Sequence, residues 1–380
     1  MLQIPDFLEE LTRSRLGVLI DDLGSSRAAL VAPAQEISAE LVNRALALSG
    51  GLTFVALSQE RAAALMLPEM SRPEPSAAPN AREGDSLKML SSVEAREGIT
   101  TGISASDRAA TLRILGAKMP HPRDLVKPGH IFPVEARTGG VLVKAAIPEG
   151  ALDLVSLAGF SDAALFIDLL GASGELLSSE EAARFASDHG IAAAALSELI
   201  SYRLHREPLV TRTAEATIPS QIAGELRGIT YRSAIHDVEH IALVKGDVSH
   251  GGPVLVRVQA ENTLSDVFGG GSRSSRAQLQ ASLRAIAERG SGVLLYLRRP
   301  HIEETNGERH SVQTPAQRAN QARMMREYGV GAQILRDLGI TQIEVLSSSS
   351  KSLSGLASFG LTIVSQQPIP GVDLSEGHIV

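Results

Sequence analysis

The chain has no cysteine anywhere in its 380 residues. That excludes a disulfide framework, a redox thiol and a thiolate nucleophile, and it leaves any metal to oxygen and imidazole ligands. Excess positive charge is also missing: 36 Lys and Arg stand against 43 Asp and Glu, for a formal net charge of -7 and a pI near 5.8. With no general basic footprint, neither nucleic acid nor an acidic membrane surface is an expected partner, although a local pocket for a phosphorylated metabolite stays compatible with this balance. No apolar run reaches membrane-spanning length. The opening MLQIPDFLEELTRSR carries acids and lacks the basic start, apolar core and small-residue cleavage site of a secretion signal. A soluble, cytoplasmic protein is the expectation.

What is present is enough chain for two cores, since a single hydrophobic core stops growing well short of this length. The pattern is α/β (α+β). Short apolar runs at Leu16–Asp21, Leu52–Leu57 and Ala163–Leu169 read as buried strands between helices. Ser38 is placed to cap a helix ending at Gly50-Gly51, and Ser178 with Glu181 forms a capping box for another that runs to His189. Ser106–Gly116 reads as helix, Gly139–Lys144 as extended, and the proline- and alanine-rich Ser71–Asp85 as a surface excursion. Pro208 lies in a stretch of changed character, so the expected domains are residues 1–206 and 207–380. The second opens with strand patterns at 213–218, 225–232, 241–245 and 253–258. Helix–strand alternation follows: helices at 279–289, 319–328, 332–338 and 351–359, and strands at 292–297 and 342–346.

Two stretches of the first domain concentrate chemistry. One is Glu97-Gly-Ile-Thr-Thr-Gly-Ile-Ser-Ala-Ser-Asp-Arg108, in which Thr100, Thr101, Ser104 and Ser106 put hydroxyls beside glycines, with Asp107 and Arg108 as a charge pair at a helix start. Glycine lets a backbone approach a phosphate, and a helix N-terminus favours an anion. The same residues equally suit capping the helix and tying down a tight turn. The other stretch is Asp124-Leu-Val-Lys-Pro-Gly-His130-Ile-Phe-Pro, whose histidine follows an expected Pro-Gly turn and reads either as a structural residue or as a substrate contact.

Together these stretches resemble 3,4-dihydroxy-2-butanone 4-phosphate synthase, over nearly all of residues 10–205. The resemblance implies an enzyme that takes ribulose 5-phosphate through an enediol to loss of formate, with magnesium on the sugar hydroxyls. It implies substrate contacts at Thr100, Thr101, Ser104, Asp107, Arg108 and Thr111, and catalytic candidates at His130, Glu149 and Asp168. The departures bear on the metal. Where the family has the acidic loop Arg-Glu-Asn-Glu-Gly-Asp, this chain runs Asp21-Asp-Leu-Gly-Ser-Ser-Arg27. Where it has His-Thr-Glu, this chain has Ile147, Pro148 and Glu149, and isoleucine has no lone pair for a metal. Asp168 replaces the usual glutamate with a shorter carboxylate.

From Ala214 to about Ile369 the chain resembles GTP cyclohydrolase II, through His240-Ile-Ala-Leu-Val-Lys-Gly-Asp247, the Asp266-Val-Phe-Gly269 loop and Tyr328-Gly-Val-Gly-Ala-Gln333. That family opens the guanine ring with zinc-activated water. Its three zinc cysteines correspond here to Asn262, Arg273 and Ser275: an amide, a permanent cation and a hydroxyl. The family's phosphate-binding stretch is replaced by Arg299-Pro-His-Ile-Glu-Glu-Thr305, and a nucleotide contact by Ser347-Ser-Ser-Ser-Lys-Ser352. His301, Glu303, Glu304 and His310 read as a solvated segment rather than a rebuilt metal site. Gly269-Gly-Gly271 with Arg273 and Arg276 suits either an anion cradle or a plain loop.

The sequence therefore leads to the expectation of a degenerate member of the bifunctional riboflavin family, with neither magnesium nor zinc as cofactor. It would bind a sugar phosphate or nucleotide, or assemble as a homodimer or with an active paralogue. The alternative is a synthase-like lyase that acts on a phosphorylated sugar through Glu149, Asp168 and His130.

Overall fold

The computed structural model describes residues 2–13, 15–23, 27–70, 87–235, 238–249, 251–268, 275–298, 316–347 and 360–370. The chain divides into two compact units, Met1–Arg203 with Gln313–Ala322, and Leu204–Val312 with Arg323–Val380. The segments predicted at Ser71–Asp85 and at 351–359 lie outside the described residues.

In the first unit, helix α1 (Ile4–Thr12) leads into strands β1 (Gly17–Asp21) and β2 (Arg27–Pro33), helix α2 (Ala39–Ser49), strand β3 (Phe54–Leu57) and helix α3 (Gln59–Ala64). Strands β4 (Lys88–Met89) and β5 (Val93–Ala95), helix α4 (Ala105–Leu115), strand β6 (Leu125–Glu135), helix α5 (Ile147–Leu157) and strand β7 (Ala163–Asp168) follow. Helix α6 (Ser179–Asp188), strand β8 (Ala192–Ala195) and the part of helix α7 (Leu196–Arg206) up to Arg203 complete it, the helix from Leu204 onward belonging to the second unit. The strands form one mixed sheet in the order β4-β6-β3-β7-β2-β1-β8, with β5 on β6. Strands β1, β3 and β7 are buried along almost their whole length, as befits a sheet covered on both faces. Alternate residues Val18, Ile20, Leu30, Val55, Leu165 and Ile167 enter one core with Val42 of α2, Leu112 of α4 and Ala182 of α6. The opposite face takes Leu19, whose methyl sits where a Cβ on Gly150 of α5 would be, at 2.8 Å. Each Leu or Ile so buried contributes roughly 1.5–3 kcal/mol.

Local signals place the helices. Ser38 accepts from the Leu41 N–H and caps α2, which stops at left-handed Gly50. Ser178 and Glu181 form both halves of the capping box on α6. Gly139–Lys144 is not extended: it contains a 3-10 turn at Gly140–Leu142, entered through Gly139 at φ 92° and Gly140 at φ 61°.

The second unit holds strands β9 (Val210–Ser220), β10 (Gly224–Ser233), β11 (Glu239–Lys245) and β12 (Val254–Ala260), then helices α8 (Thr263–Phe268) and α9 (Ser275–Arg289). Strand β13 (Gly292–Leu297), helix α10 (Ala316–Asp337) and strands β14 (Gln342–Ser347) and β15 (Thr362–Pro368) follow. The sheet order is β15-β14-β12-β13-β11-β10-β9, parallel from β15 to β13 and antiparallel from β13 to β9. Ile286 of α9 packs with Leu255, Leu294 and Leu346 of the sheet. The two helices expected at 319–328 and 332–338 are one, α10. Gly329 does not break it, because a Cβ there would lie 3.0 Å from Leu204, so the glycine serves a close approach.

Candidate functional site

In the first unit, Ser104 caps α4 by accepting from the Asp107 N–H at 3.1 Å. Asp107 then reaches back: its Oδ2 accepts from the Thr100 hydroxyl at 2.9 Å and from the N–H groups of Thr101 and Gly102 at 3.2 and 3.1 Å. Burial pushes the Asp107 carboxyl up, but the donors of Thr100, Ser104 and Gly102 outweigh it and leave it below the usual carboxylate range. Thr111 is fully buried, donating to the Asp107 carbonyl at 3.1 Å and accepting from the Ala95 N–H at 2.9 Å. Thr100, Ser104, Asp107 and Thr111 thus build the loop itself. Arg108 does not pair with Asp107. Its Nε donates to the Ile103 carbonyl at 2.8 Å and its Nη1 to the Thr53 hydroxyl at 2.6 Å.

The loop docks on a second pair, His130 Nδ1 and Glu94 Oε2, 2.9 Å apart. Gly102, at φ +75°, packs so closely that a Cβ would stand 2.0 Å from the Glu94 oxygen and 2.8 Å from the His130 nitrogen. His130 is partly exposed and Glu94 mostly buried, so the carboxylate orients a ring whose other nitrogen is free to meet a ligand. Glu94 was not among the residues that sequence singled out. Its signal was only a β-strand position in Val93-Glu-Ala95, and its partner is 36 residues away.

The remaining candidates stand apart. Glu149, in the first turn of α5, is 2% exposed; its Oε1 accepts from the Arg137 N–H at 3.1 Å, while its Oε2 is buried without a partner among the described residues. Burial pushes its carboxyl up, and Lys144 and the Arg137 N–H offset this only in part. Asp168, at the end of β7, accepts from Arg27 Nε at 2.6 Å and Nη2 at 2.7 Å. No hydrogen bond joins His130, Glu149 or Asp168 to one another.

Magnesium finds no ligand set among these described groups. Ile147 is buried in the first turn of α5. Asp22 accepts from the Ser197 N–H and hydroxyl at 3.1 and 2.5 Å, and Asp168 is held by a guanidinium. Residues 24–26 lie outside the described residues.

In the second unit, the loop after β12 closes on Asp266. Its carboxylate accepts from the Tyr296 hydroxyl at 2.7 Å, from the Asn262 N–H at 2.8 Å and from the Ser275 hydroxyl. Asn262 Oδ1 accepts from the Ser265 N–H at 3.3 Å, and Ser275 Oγ accepts from Gln259 Nε2 at 2.7 Å. The amide oxygen and the hydroxyl at two of the three zinc positions are therefore engaged inside the protein, and zinc does not fit them. Among the described residues, no three His, Asp or Glu side chains converge as a metal site. Arg273, the glycines 269–271 and the segment from Arg299 to Thr305 with His310 lie outside the described residues.

A residue that sequence reasoning missed lies beneath this loop. Arg257 of β12 is 7% exposed, yet its partners are neutral: the Leu346 carbonyl at 3.1 Å, Gln259 Oε1 at 2.6 Å and Gln278 Oε1 at 3.3 Å. Its Nε has no partner among the described residues. Burial draws its pKa below the ordinary guanidinium value.

Comparison with known proteins places both units. Residues 5–202 match the 3,4-dihydroxy-2-butanone 4-phosphate synthase family and residues 211–368 the GTP cyclohydrolase II family. The riboflavin biosynthesis protein RibBA of Nocardia farcinica is 35% identical over 95% of this chain and 89% of its own. The monofunctional riboflavin biosynthesis protein RIBA 2, chloroplastic, of Arabidopsis thaliana is 33% identical over 96% of this chain and 76% of its own. Among solved structures, RibBX of A. baumannii, described as a two-domain 3,4-dihydroxy-2-butanone 4-phosphate synthase, superposes with a TM-score of 0.77 at 29% identity, covering 97% of this chain and 99% of that one. The chain belongs to the riboflavin-biosynthesis family that joins a 3,4-dihydroxy-2-butanone 4-phosphate synthase domain to a GTP cyclohydrolase II domain.

Proposed function

We propose that this chain serves riboflavin biosynthesis by binding a phosphorylated ligand or by assembling with an active relative, as a cytoplasmic homodimer or mixed assembly, without metal-dependent catalysis at either site. One observation carries this reading: among the described residues, two of the polar groups left where the family's chemistry is placed are tied to internal partners, Asp168 to Arg27 and Ser275 to Asp266. Without a metal to stabilise an enediolate or activate water, the developing charge has no counterpart and the reaction loses many orders of magnitude. What persists is the docked Thr100–Ser104 loop with Arg108 and His130, a polar surface suited to a sugar phosphate. Complementation of riboflavin auxotrophs lacking either activity tests both halves. No growth is expected; growth, or formate released from ribulose 5-phosphate or GTP at ordinary enzymatic rates, overturns the reading for that half.

A second reading keeps the first domain as a lyase on a phosphorylated sugar. The Glu94–His130 pair favours it, since an oriented imidazole can move a proton, and so does the description of the A. baumannii relative as a synthase. A thermal-shift series of sugar phosphates and nucleotides, followed by product analysis on any that stabilise the protein, separates the readings. Turnover of a stabilising sugar phosphate supports the lyase, and stabilisation without turnover supports binding.

A further inference from the structure

The family's zinc loop is held by metal–sulfur bonds, and this chain keeps the loop's helices without a sulfur to hold them. Asp266 lies on α8, Ser275 opens α9, Asn262 precedes α8 and Tyr296 is on β13. All of the last three donate to the Asp266 carboxylate, two through hydroxyls and one through a backbone N–H. A second bridge runs beside it: the Ser275 N–H donates to Ser265 Oγ at 3.0 Å, and the Ser265 N–H donates to Asn262 Oδ1. Ser265 is 4% exposed, so this bridge is shielded from water. Gln259 Nε2 reaches Ser275 Oγ from β12, tying the cluster to the sheet.

We propose that the Asp266 carboxylate replaces the metal as the centre that fixes this loop, so that the second unit folds and persists without zinc. Three pieces of chain, the Asn262–Asp266 turn, Ser275 and Tyr296, meet at one anion, as separate pieces meet at a structural zinc with the opposite charge. Hydrogen bonds to an ionised acceptor are the stronger kind, and several converging on the half-buried Asp266 carboxylate can hold α8, whose Leu264, Val267 and Phe268 are exposed. Asn262 and Ser275 are, in this view, working members of the clasp and not vacated ligand positions. The inference rests on the metal-free reading of function, but it fails separately from it.

The test uses the full chain, with zinc content, melting temperature and amide hydrogen exchange as readouts. The expected result is zinc well below one ion per chain and a melting temperature indifferent to EDTA and to added zinc chloride. Asp266→Asn puts an N–H donor where an acceptor stood. It is expected to lower the melting temperature by about 4 °C or more and to speed exchange at Asn262 and Ser275, with no recovery on adding zinc. Tyr296→Phe removes one donor and leaves the carboxylate, so a smaller fall and partial deprotection are expected; this variant carries the test if Asp266→Asn does not fold. Stoichiometric zinc with an EDTA-sensitive melting temperature overturns the clasp, as does unchanged exchange in both variants. Formate release from ribulose 5-phosphate would sink the functional reading and leave the clasp standing, whereas bound zinc without turnover of GTP would sink the clasp alone.

Discussion

Arg27 grips Asp168 with two parallel hydrogen bonds, Nε at 2.6 Å and Nη2 at 2.7 Å, from the start of one strand to the end of its antiparallel neighbour. Both side chains are about four-fifths buried, at 20% and 16% exposure, so the pair is well shielded from water. A permanent cation thus stands beside the carboxylate that sequence offered as an acid or base. In this state Asp168 is an acceptor for Arg27 and not a free base.

Removing the guanidinium leaves Asp168 without its counter-charge. Arg27→Ala is expected to lower stability by about 1–3 kcal/mol, less than for a fully buried pair because water still reaches it. Urea unfolding of Arg27→Ala, Asp168→Ala and the double variant checks this. The double variant should lose much less than the sum of the singles; strict additivity would mean the two groups are independent.

Gly102 offers a sharper test of the first-domain site. Its φ of +75° disfavours any side chain, and a Cβ would collide with Glu94 and crowd His130. Gly102→Ala is expected to cost about 1–3 kcal/mol and to displace the loop from the pair. Chemical shifts of the His130 ring should move, and any sugar phosphate that stabilises the parent should stabilise this variant less. Leu52→Ala, which trims a residue already 58% exposed just before β3, serves as a control for handling rather than for the pair.

How much of this was legible depends on the range of the interaction. Ser38, Ser104 and the Ser178–Glu181 box act within one helical turn, and reading along the chain finds such contacts. Arg27 and Asp168 are 141 residues apart, and nothing in the loop before β2 announces its partner. Asp107 and Arg108 read as a charge pair because they are adjacent, yet adjacent helix residues point in different directions, one to the Thr100 turn and one to Thr53. Gly139–Lys144 reads as extended in sequence, but Gly139 and Gly140 take positive φ values and the segment turns. The departures from the family's motifs were visible in sequence. That Arg27 takes up Asp168 in one unit, and that Ser275 and Tyr296 gather on Asp266 in the other, required the fold.

Glu149 predicts a pH dependence of definite sign. Its carboxyl is raised above the ordinary value of 4.5 by burial, so the folded chain holds this proton more tightly than the unfolded chain. Stability from this group is therefore greatest in acid and declines as pH rises from about 4.5 through the raised folded value. Glu149→Gln keeps the shape and cannot ionise. Relative to the parent it should gain stability across that window and hold the gain at neutral pH, as measured by unfolding free energies at a series of pH values. A difference between the two proteins that is flat with pH would show that Glu149 does not titrate as its burial requires.

Arg257 gives the last prediction, because among the described residues this buried guanidinium hydrogen-bonds only to carbonyl and amide oxygens, with no carboxylate among its partners. Guanidinium stays protonated in proteins, so the cost of burying it falls on the fold and is relieved by any anion that reaches it. The second unit is therefore expected to be stabilised by inorganic pyrophosphate, as a probe of the phosphorylated ligand proposed above, with a shift in melting temperature that grows with concentration. Arg257→Met removes the charge and keeps the bulk. It should abolish that shift while changing the ligand-free stability by less than about 2 kcal/mol, since losing the desolvation penalty offsets the hydrogen bonds given up. If pyrophosphate stabilises the parent and Arg257→Met equally, the anion binds elsewhere. If Arg257→Met costs far more than this without ligand, the arginine is a structural strut tying β12 to Leu346, and the phosphorylated-ligand reading loses its support in the second unit.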